Sequence, residues 1–232
     1  MVVRELGEST SAQLTGVMPT LVVPVGSTEQ HGPHLPLDTD TRIASAVARR
    51  VAGDLGHVLA PAIAYGASGE HQGFAGTVSI GTAALTAVLV EYGRSAFDWS
   101  ARLVFVNGHG GNVEALRSAT TTLRAEGRDA AWVGSSPQQG DAHAGHTETS
   151  LLLHISPKVV RAERCAPGNT ESLADLMPRL RRGGVAAVSG SGVLGDPTTA
   201  SAQAGARIFA DVVDDCVHRV RQWAPGGGGM LG

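Results

Sequence analysis

The segment RLVFVNGHGGN, residues 102–112, contains the clearest strand signal in the chain. Its run of four large apolar residues from Leu103 to Val106 is typical of a strand that is buried on both faces of a sheet. The glycine-rich turn after it leads into residues 112–124, which have the apolar spacing of a helix. A strand, a short turn and a helix in this order form the repeating unit of α/β folds with a parallel sheet.

The same alternation extends over the rest of the chain. Further strands are predicted at 21–26, 58–66, 130–136 and 185–190, and further helices at 41–55, 82–98, 147–154 and from Pro197 to about Trp223. We therefore predict an α/β fold, a single-domain three-layer sandwich in which helices flank a mostly parallel sheet. This domain spans residues 1–224. The ending PGGGGMLG, residues 225–232, is predicted to be a flexible glycine-rich tail with no residues to pack.

Composition excludes several classes of protein. The chain has 232 residues, 42% of them hydrophobic, which is enough for one core without disulfides, and its two cysteines cannot form a disulfide framework. A net charge of −3 and a pI near 6.3 argue against a nucleic-acid-binding face. The first ten residues lack the features of a secretory signal, and no apolar run approaches the ~20 residues of a membrane span. We expect a cytoplasmic protein with neither a nucleic-acid nor a membrane partner.

Polar side chains are concentrated where three of the predicted strands end. The stretch VGSTEQHGPHLPLDTDT follows the first strand, NGHGGN follows the clearest strand, and GDAHAGHTETS follows another. In an open parallel sheet, ligands bind beyond the carboxyl ends of the strands. The three loops are therefore expected to converge on one rim.

The first of these loops suggests a metal site. Glu29 and His31 are two residues apart, so an extended backbone points both side chains to the same side, and Asp40 follows near the start of a helix. Histidine nitrogen and carboxylate oxygen are common ligands of zinc, iron and manganese. Each residue alone is better explained as a helix cap or a loop histidine. The combination at one strand end favours a metal.

The other clusters add candidates. His109 lies in the glycine turn, where the backbone can approach a ligand closely. HAGHTETS supplies His143, His146 and Glu148, of which one histidine and one carboxylate would complete a two-metal set. GEHQGFAGT adds Glu70 and His71, which belong either to a substrate-facing loop or to an ordinary polar surface.

One motif points to a different function. GSGVLG, residues 190–195, matches the G-x-G-x-x-G pattern of dinucleotide-binding folds. Asp196 and Pro197 interrupt the helix that this motif should open, so we interpret the match as a loop. The chain has no G-x-S-x-G elbow and no H-E-x-x-H motif, and neither cysteine is near a histidine in sequence. Serine-nucleophile, zincin and thiol mechanisms therefore lack support.

The stretches EQHGPHLPLDTD, NGHGGN and HAGHTETS, in this order and spacing, resemble the creatininase family of metal-dependent amidohydrolases. The resemblance runs from about residue 20 to residue 220. It implies a creatininase-like fold, two divalent metal ions per subunit and a homo-oligomer. The ligand types suit zinc, iron(II) and manganese alike.

Carried over by position, the resemblance implies Glu29, Asp40 and His109 on one metal, and His31 and Asp40 on the second. It also implies that His143 handles protons. Creatininase itself has a glutamate two residues after the histidine that matches His109, whereas this chain has Gly111 there. The second metal then lacks a ligand, and Glu148 is our candidate to supply it.

Two longer stretches, LVVPVGSTEQHGPHLPLDTDTRIA and APAIAYGASGEHQGFAGTVSIG, resemble the mycofactocin-system peptidases within that family. This likeness implies hydrolysis of the amide bond that releases a C-terminal Val-Tyr dipeptide from a modified ribosomal precursor peptide, with Glu70 and His71 helping to orient the substrate. One alternative is a creatininase-type or formamide-cleaving small-molecule amidohydrolase. An alternative of another class is a non-catalytic metal-binding module, although the two cysteines lie outside the clusters.

Overall fold

A computed structural model describes residues 3–137 and 140–232, in which five strands form one parallel sheet. The strands are β1 (Arg4–Glu5), β2 (Thr20–Val25), β3 (Val58–Leu59), β4 (Arg102–Asn107) and β5 (Ala130–Gly134). The helices are α1 (Ser11–Leu14), α2 (Thr39–Leu55), α3 (Gly81–Ala96), α4 (Val113–Ala125), α5 (His146–Ile155), α6 (Leu173–Gly183) and α7 (Ala202–Gln222). No helix in the described ranges is both long and apolar enough to cross a bilayer.

The two faces of the sheet are covered by different helices. Side chains along a strand alternate between faces, so Val22 and Val104 join one core while Leu21 and Phe105 join the other. The first core contains apolar residues of α2, α5 and α7, and the second contains those of α3 and α4. This arrangement confirms the predicted three-layer α/β sandwich.

The order of the strands creates a crevice at the centre of the sheet. The order is β1-β3-β2-β4-β5, so the chain leaves β2 for β3 on one side and then returns to β4 on the other. Parallel sheets bind ligands at such a switch point, beyond the carboxyl ends of the two strands. Gly108 lets α2 approach this crevice, since a Cβ atom there would lie 2.4 Å from the carbonyl oxygen of Asp40.

Some sequence predictions need correction. The predicted strand at 185–190 is wrong: residues 185–187 form a 3-10 turn, and Val185 packs in a small third core with Leu176 and Leu194. This alanine-containing run follows Gly184, which has a φ of 66°, and none of its described residues pairs with a strand of the sheet. α6 was not predicted, because Pro178 inside it disrupts the helical pattern.

The interpretation of residues 190–195 as a loop is confirmed, since none of these described residues lies in a helix or strand.

The C-terminal segment 225–232 is packed, so the prediction of a tail with nothing to pack is wrong. The backbone N–H of Trp132 donates to the carbonyl of Gly229 at 2.9 Å, and the N–H of Leu231 donates to the carbonyl of Trp132 at 2.9 Å. The indole N–H of Trp132 donates to Gly228. Leu231 is fully buried in the first core. Glycines allow this backbone to approach β5, and Leu231 supplies the apolar side chain.

We expect Leu231→Ala to lower the free energy of unfolding by about 2–4 kcal/mol, because removing a buried leucine leaves a cavity. Met230→Ala is the matched control, because Met230 is the adjacent residue and its side chain is 40% exposed. This substitution should lower the free energy of unfolding by about 0.5 kcal/mol or less. Urea denaturation of both variants measures the difference. Equal stability of the two variants would contradict the docking of this segment.

Candidate metal centre

The loop after β2 places two candidate metal ligands in the interior. Glu29 and His31 are both fully buried. The backbone N–H of Glu29 donates to the carbonyl of Leu37 at 3.0 Å, which folds the loop back on itself. The Nδ1 atom of His31 lies 3.2 Å from the carbonyl oxygen of Glu29, and this contact leaves Nε2 directed towards the crevice.

Asp40 lies between two imidazole rings. Its Oδ1 atom is 3.1 Å from Nε2 of His31, and its Oδ2 atom is 3.2 Å from Nδ1 of His109. The hydroxyl of Ser27 donates to Oδ2 at 2.6 Å and fixes the carboxylate. Asp40 is in the first turn of α2, where the helix dipole favours a negative charge. Asp40 thus presents one carboxylate oxygen to each of two imidazole rings, and from this position it could contact two cations.

Glu29 is a fully buried carboxyl group that faces three histidine rings. Its oxygens lie 3.2 Å from Nε2 of His109, 3.4 Å from Nε2 of His71 and 3.8 Å from Nδ1 of His143. Neither oxygen has a hydrogen-bond partner among the residues that the structure describes. Burial, together with the charge of Asp40, raises the pKa of Glu29 to about 8. A buried carboxylate of this kind is costly unless it binds a positive charge, and a metal ion fits it.

The four histidines of the cluster divide into two pairs. Burial opposes the charged form of His31, but Asp40 and Glu148 raise its pKa to about 10. His109 also has a raised pKa, because Glu29 and Asp40 outweigh its burial. By contrast, burial lowers the pKa of His71 to about 4, and burial beside His31 depresses the pKa of His143 strongly. The first pair therefore holds positive charge beside the carboxylates, and the second pair is neutral.

Glu148 approaches the cluster from α5. Its Oε2 atom is 3.8 Å from Nε2 of His31 and accepts the backbone N–H of Ala144 at 2.6 Å. Burial raises the pKa of Glu148. His146, two residues earlier, is directed elsewhere, and its Nδ1 atom lies 2.8 Å from the hydroxyl of Thr199. Of the candidates in HAGHTETS, His143 and Glu148 thus join the cluster and His146 does not.

Glu70 occupies the space beside Gly111. A Cβ atom on Gly111 would lie 2.3 Å from the carbonyl oxygen of Ala67, 2.5 Å from Nε2 of His109 and 2.7 Å from Oε1 of Glu70. No side chain fits there without a shift of the backbone. The Oε1 atom of Glu70 is itself 3.4 Å from Nε2 of His109. The carboxylate of Glu70, from another loop, therefore lies in the space that a side chain at position 111 would occupy.

All eight of the sequence-predicted site residues come together. They are Glu29, His31, Asp40, Glu70, His71, His109, His143 and Glu148. Three sets of three side chains bring one donor atom each to within 4.8 Å of the others: Glu29–His71–His143, His31–His143–Glu148 and Glu29–His31–Asp40. The chemistry and spacing of these donors fit divalent cations.

Two parts of the site have no recognisable signal in the sequence. The cavity beside the cluster has a volume of about 610 Å³, and its other wall comes from α6 through Met177, Leu180 and Arg181. This wall was missed together with α6. Gln30 lies between His71 and His143, at 2.9 Å and 3.0 Å from their ring nitrogens. An amide is neither a usual metal ligand nor an acid or base, so sequence alone did not mark it.

Comparison with known protein families gives one match over most of the chain. The model described as "Creatininase: Creatinine amidohydrolase" matches residues 7–220. A Mycobacterium ulcerans (strain Agy99) protein named mycofactocin precursor peptide peptidase is 65% identical over 99% of this chain and 96% of its own length. The Mycolicibacterium smegmatis protein of the same name is 63% identical over 97% of this chain and 94% of its own length.

The solved structures that resemble this chain include creatininases. A crystal structure of creatinine amidohydrolase superposes with a TM-score of 0.78 and 28% identity, over 97% of this chain and 100% of the other. Similar structures include one described as "Creatininase Mn" and a mutant creatininase described as of the Zn-Zn type. Metal sites of zinc or manganese are thus found in proteins of this fold.

We expect zinc binding to release protons at pH 7. Glu29 and His31, with pKa values of about 8 and about 10, are protonated at pH 7 when no metal is bound, and metal ligands bind deprotonated. Both pKa values are raised, so each proton is lost spontaneously only as the pH passes that value. The number of protons released per zinc ion should therefore be smaller at pH 9, because Glu29 is already ionised at that pH.

Isothermal titration calorimetry in buffers of different ionisation enthalpy measures this release. Glu29→Gln, which has no proton to lose, should release less than the wild type at pH 7. Heats of zinc binding that do not depend on the buffer would contradict the assignment of these two groups.

Proposed function

Because the chain belongs to the creatininase family, as the match over residues 7–220 shows, we propose that it is a metal-dependent peptidase of mycofactocin biosynthesis. In this proposal it hydrolyses the amide bond that releases a C-terminal Val-Tyr dipeptide from the modified precursor peptide. The observation that supports this proposal most directly is the position of Asp40 between His31 and His109. Beside them lies the buried Glu29, whose oxygens have no hydrogen-bond partner among the described residues. Relatives at 63–65% identity, named precursor peptide peptidases, support the choice of substrate.

Two divalent cations per subunit would be held by the chain's own carboxylates and imidazoles. We assign Glu29, Asp40 and His109 to one cation, and His31, Asp40 and Glu148 to the other. The second set is supported by Nε2 of His31, which lies 3.1 Å from Asp40 and 3.8 Å from Glu148. The first set follows the family resemblance, because Glu29 and Asp40 face different ring nitrogens of His109. Zinc, iron(II) and manganese are all compatible with these donors.

The chemistry requires a strong nucleophile and a proton for the leaving amine. Two cations bound here would lower the pKa of a bound water from 15.7 to roughly 7 and polarise the scissile carbonyl. His143 is neutral at pH 7 because burial depresses its pKa, and its Nδ1 atom faces Glu29 at 3.8 Å. It can therefore accept a proton from water and donate it to the departing nitrogen. His71 and Glu70 border the same cavity, where they can orient the peptide.

The shape of the site favours a peptide over a small molecule. The cavity of about 610 Å³ adjoins a second one of about 650 Å³, and the two share Asp141, Leu173 and Leu194 among their lining residues. Met177 and Leu180 of α6 add apolar surface to the first cavity, and this surface suits the valine and tyrosine side chains of the proposed substrate. Two adjoining cavities of this volume offer more space than a molecule the size of creatinine would fill.

We also propose that the protein acts in the cytoplasm, where a ribosomal precursor peptide is made, and as a homo-oligomer. The oligomer rests on the family resemblance, and the compartment rests on the proposed substrate and on the sequence features described above. A neighbouring subunit could then complete the walls of the substrate groove.

We expect His109→Ala and Glu148→Gln each to lose at least about 100-fold in turnover, since even residues that only support metal ligands contribute 10–100-fold. Each variant should also bind less metal by elemental analysis. His154→Gln is the matched control, because His154 lies in the same helix as Glu148 but packs beside Phe209, outside both cavities. Full activity in a folded His109→Ala or Glu148→Gln protein would contradict the site.

Mass spectrometry of the modified precursor peptide after incubation tests the substrate directly. We expect loss of a Val-Tyr unit, abolished by a chelator and restored by added zinc, iron(II) or manganese. Creatinine and a formamide-bearing pyrimidine are the comparison substrates. An unchanged peptide together with turnover of either small molecule would contradict the peptidase assignment.

A further inference from the structure

The side-chain amide of Gln30 has an orientation that its backbone neighbours determine. Its Oε1 atom accepts the backbone N–H of Gly32 at 2.9 Å, and its Nε2 atom donates to the carbonyl of Gly192 at 3.1 Å. A backbone N–H can only donate and a carbonyl can only accept, so the amide cannot be flipped. The donor end of Gln30 therefore faces His71 and His143.

This orientation determines which nitrogen of His71 carries the proton. One amide hydrogen of Gln30 is used by Gly192, and the other is available to Nδ1 of His71, 2.9 Å away. Nδ1 must then be the acceptor, so the ring proton of neutral His71 is on Nε2. That N–H lies 3.4 Å from Oε1 of Glu29. A neutral His71 in this tautomer has no free nitrogen for a metal ion, although its position beside Glu29 and His143 would allow one.

His143 is held in the same tautomer but presents its other nitrogen. Its Nε2 atom lies 2.8 Å from the backbone carbonyl oxygen of Gln30, which can only accept, so Nε2 carries the proton. The 3.0 Å contact between Nε2 of His143 and Nε2 of Gln30 then joins two donors and is not a hydrogen bond. The free lone pair is on Nδ1, which faces Glu29 at 3.8 Å. His143 thus presents an unprotonated Nδ1 to the cluster, whereas His71 presents a protonated Nε2.

The loop GSGVLG, residues 190–195, holds both partners in place. A Cβ atom on Gly192 would lie 1.9 Å from Oε1 of Gln30, and φ of Gly192 is +82°, so only glycine suits this position. The backbone of Leu194 pairs with that of His143 through hydrogen bonds of 2.8 Å and 3.1 Å. The segment that matches a dinucleotide motif therefore has a different use here.

We propose that Gln30, seated against Gly192, is a positioning residue that makes His71 a proton-bearing donor and His143 a proton acceptor in the same cavity. His71 then presents an N–H towards Glu29 and the space open to the substrate carbonyl oxygen, and it is not a metal ligand. The assignment of protons rests on hydrogen bonding alone. The roles of the two histidines in turnover rest on the proposed peptidase function.

Nitrogen NMR of protein labelled with ¹⁵N-histidine and loaded with ¹¹³Cd tests the assignment. The resonances of His71 are identified by their absence in His71→Gln. We expect Nε2 of His71 to be protonated, Nδ1 to be unprotonated, and neither to be split by ¹¹³Cd, whereas a nitrogen of His31 is split. Protonation of His71 at Nδ1, or a ¹¹³Cd splitting at His71, would overturn the proposal.

Two glycines of the same loop provide a matched pair of variants. Gly192→Ala displaces the amide of Gln30, whereas a Cβ on Gly190 meets no described atom within 4 Å. We expect Gly192→Ala to lower kcat by about 100-fold, the order of magnitude that is lost when one positioned hydrogen-bond donor is removed from an active site. The metal content should stay unchanged, and Gly190→Ala should match the wild type.

Gln30→Glu provides a second test if Gly192→Ala does not fold. A carboxylate in place of the amide donor accepts from His71, so the ring proton should move to Nδ1 and kcat should fall. A folded, metal-loaded Gln30→Glu protein with the wild-type His71 tautomer would overturn the proposal. Failure of wild-type protein to cleave the peptide would instead count against the peptidase function, and the NMR result would stand independently.

Discussion

Four carboxylates and four imidazoles share one cluster at the carboxyl ends of β2 and β4, and this concentration of ionisable groups requires positive charge. Glu29 and Asp40 are almost completely buried. Removing a carboxylate from water is costly unless a cation or a hydrogen-bond donor compensates it. Without metal, protons on Glu29, His31 and His109 provide this compensation, as their raised pKa values indicate. Divalent cations would replace those protons and bind the same oxygens and nitrogens.

The rest of the fold supports this cluster. β2 and β4 are adjacent in register over six residues, from Thr20 paired with Arg102 to Val25 paired with Asn107. Their loops therefore begin at the same edge of the sheet. Helices cover both faces with tightly packed cores, so the loops that carry the candidate ligands are anchored at rigid strands and helices. The glycine at 108 allows α2 to bring Asp40 into contact with both loops. The site is thus a consequence of strand order and of close backbone approach.

Much of this was predictable from sequence, for identifiable reasons. The apolar runs of β2, β4 and β5 and the spacing of α2 and α7 report burial directly, and polar residues after strand ends mark the rim. Other features depend on contacts that have no local signature. α6 contains Pro178, and the packing of Leu231 depends on a backbone pairing with Trp132. The place of Glu70 beside Gly111, and of Gln30 between two histidines, became visible only in three dimensions.

Anomalous diffraction from crystals grown with manganese or zinc tests the central claim most directly, because it locates each cation independently of any assay. The account predicts two anomalous peaks in each subunit, both in contact with the Asp40 carboxylate, one beside Glu29 and His109 and the other beside His31. An ordered cluster that shows no peak at saturating metal, or peaks bound by side chains outside it, would contradict the account.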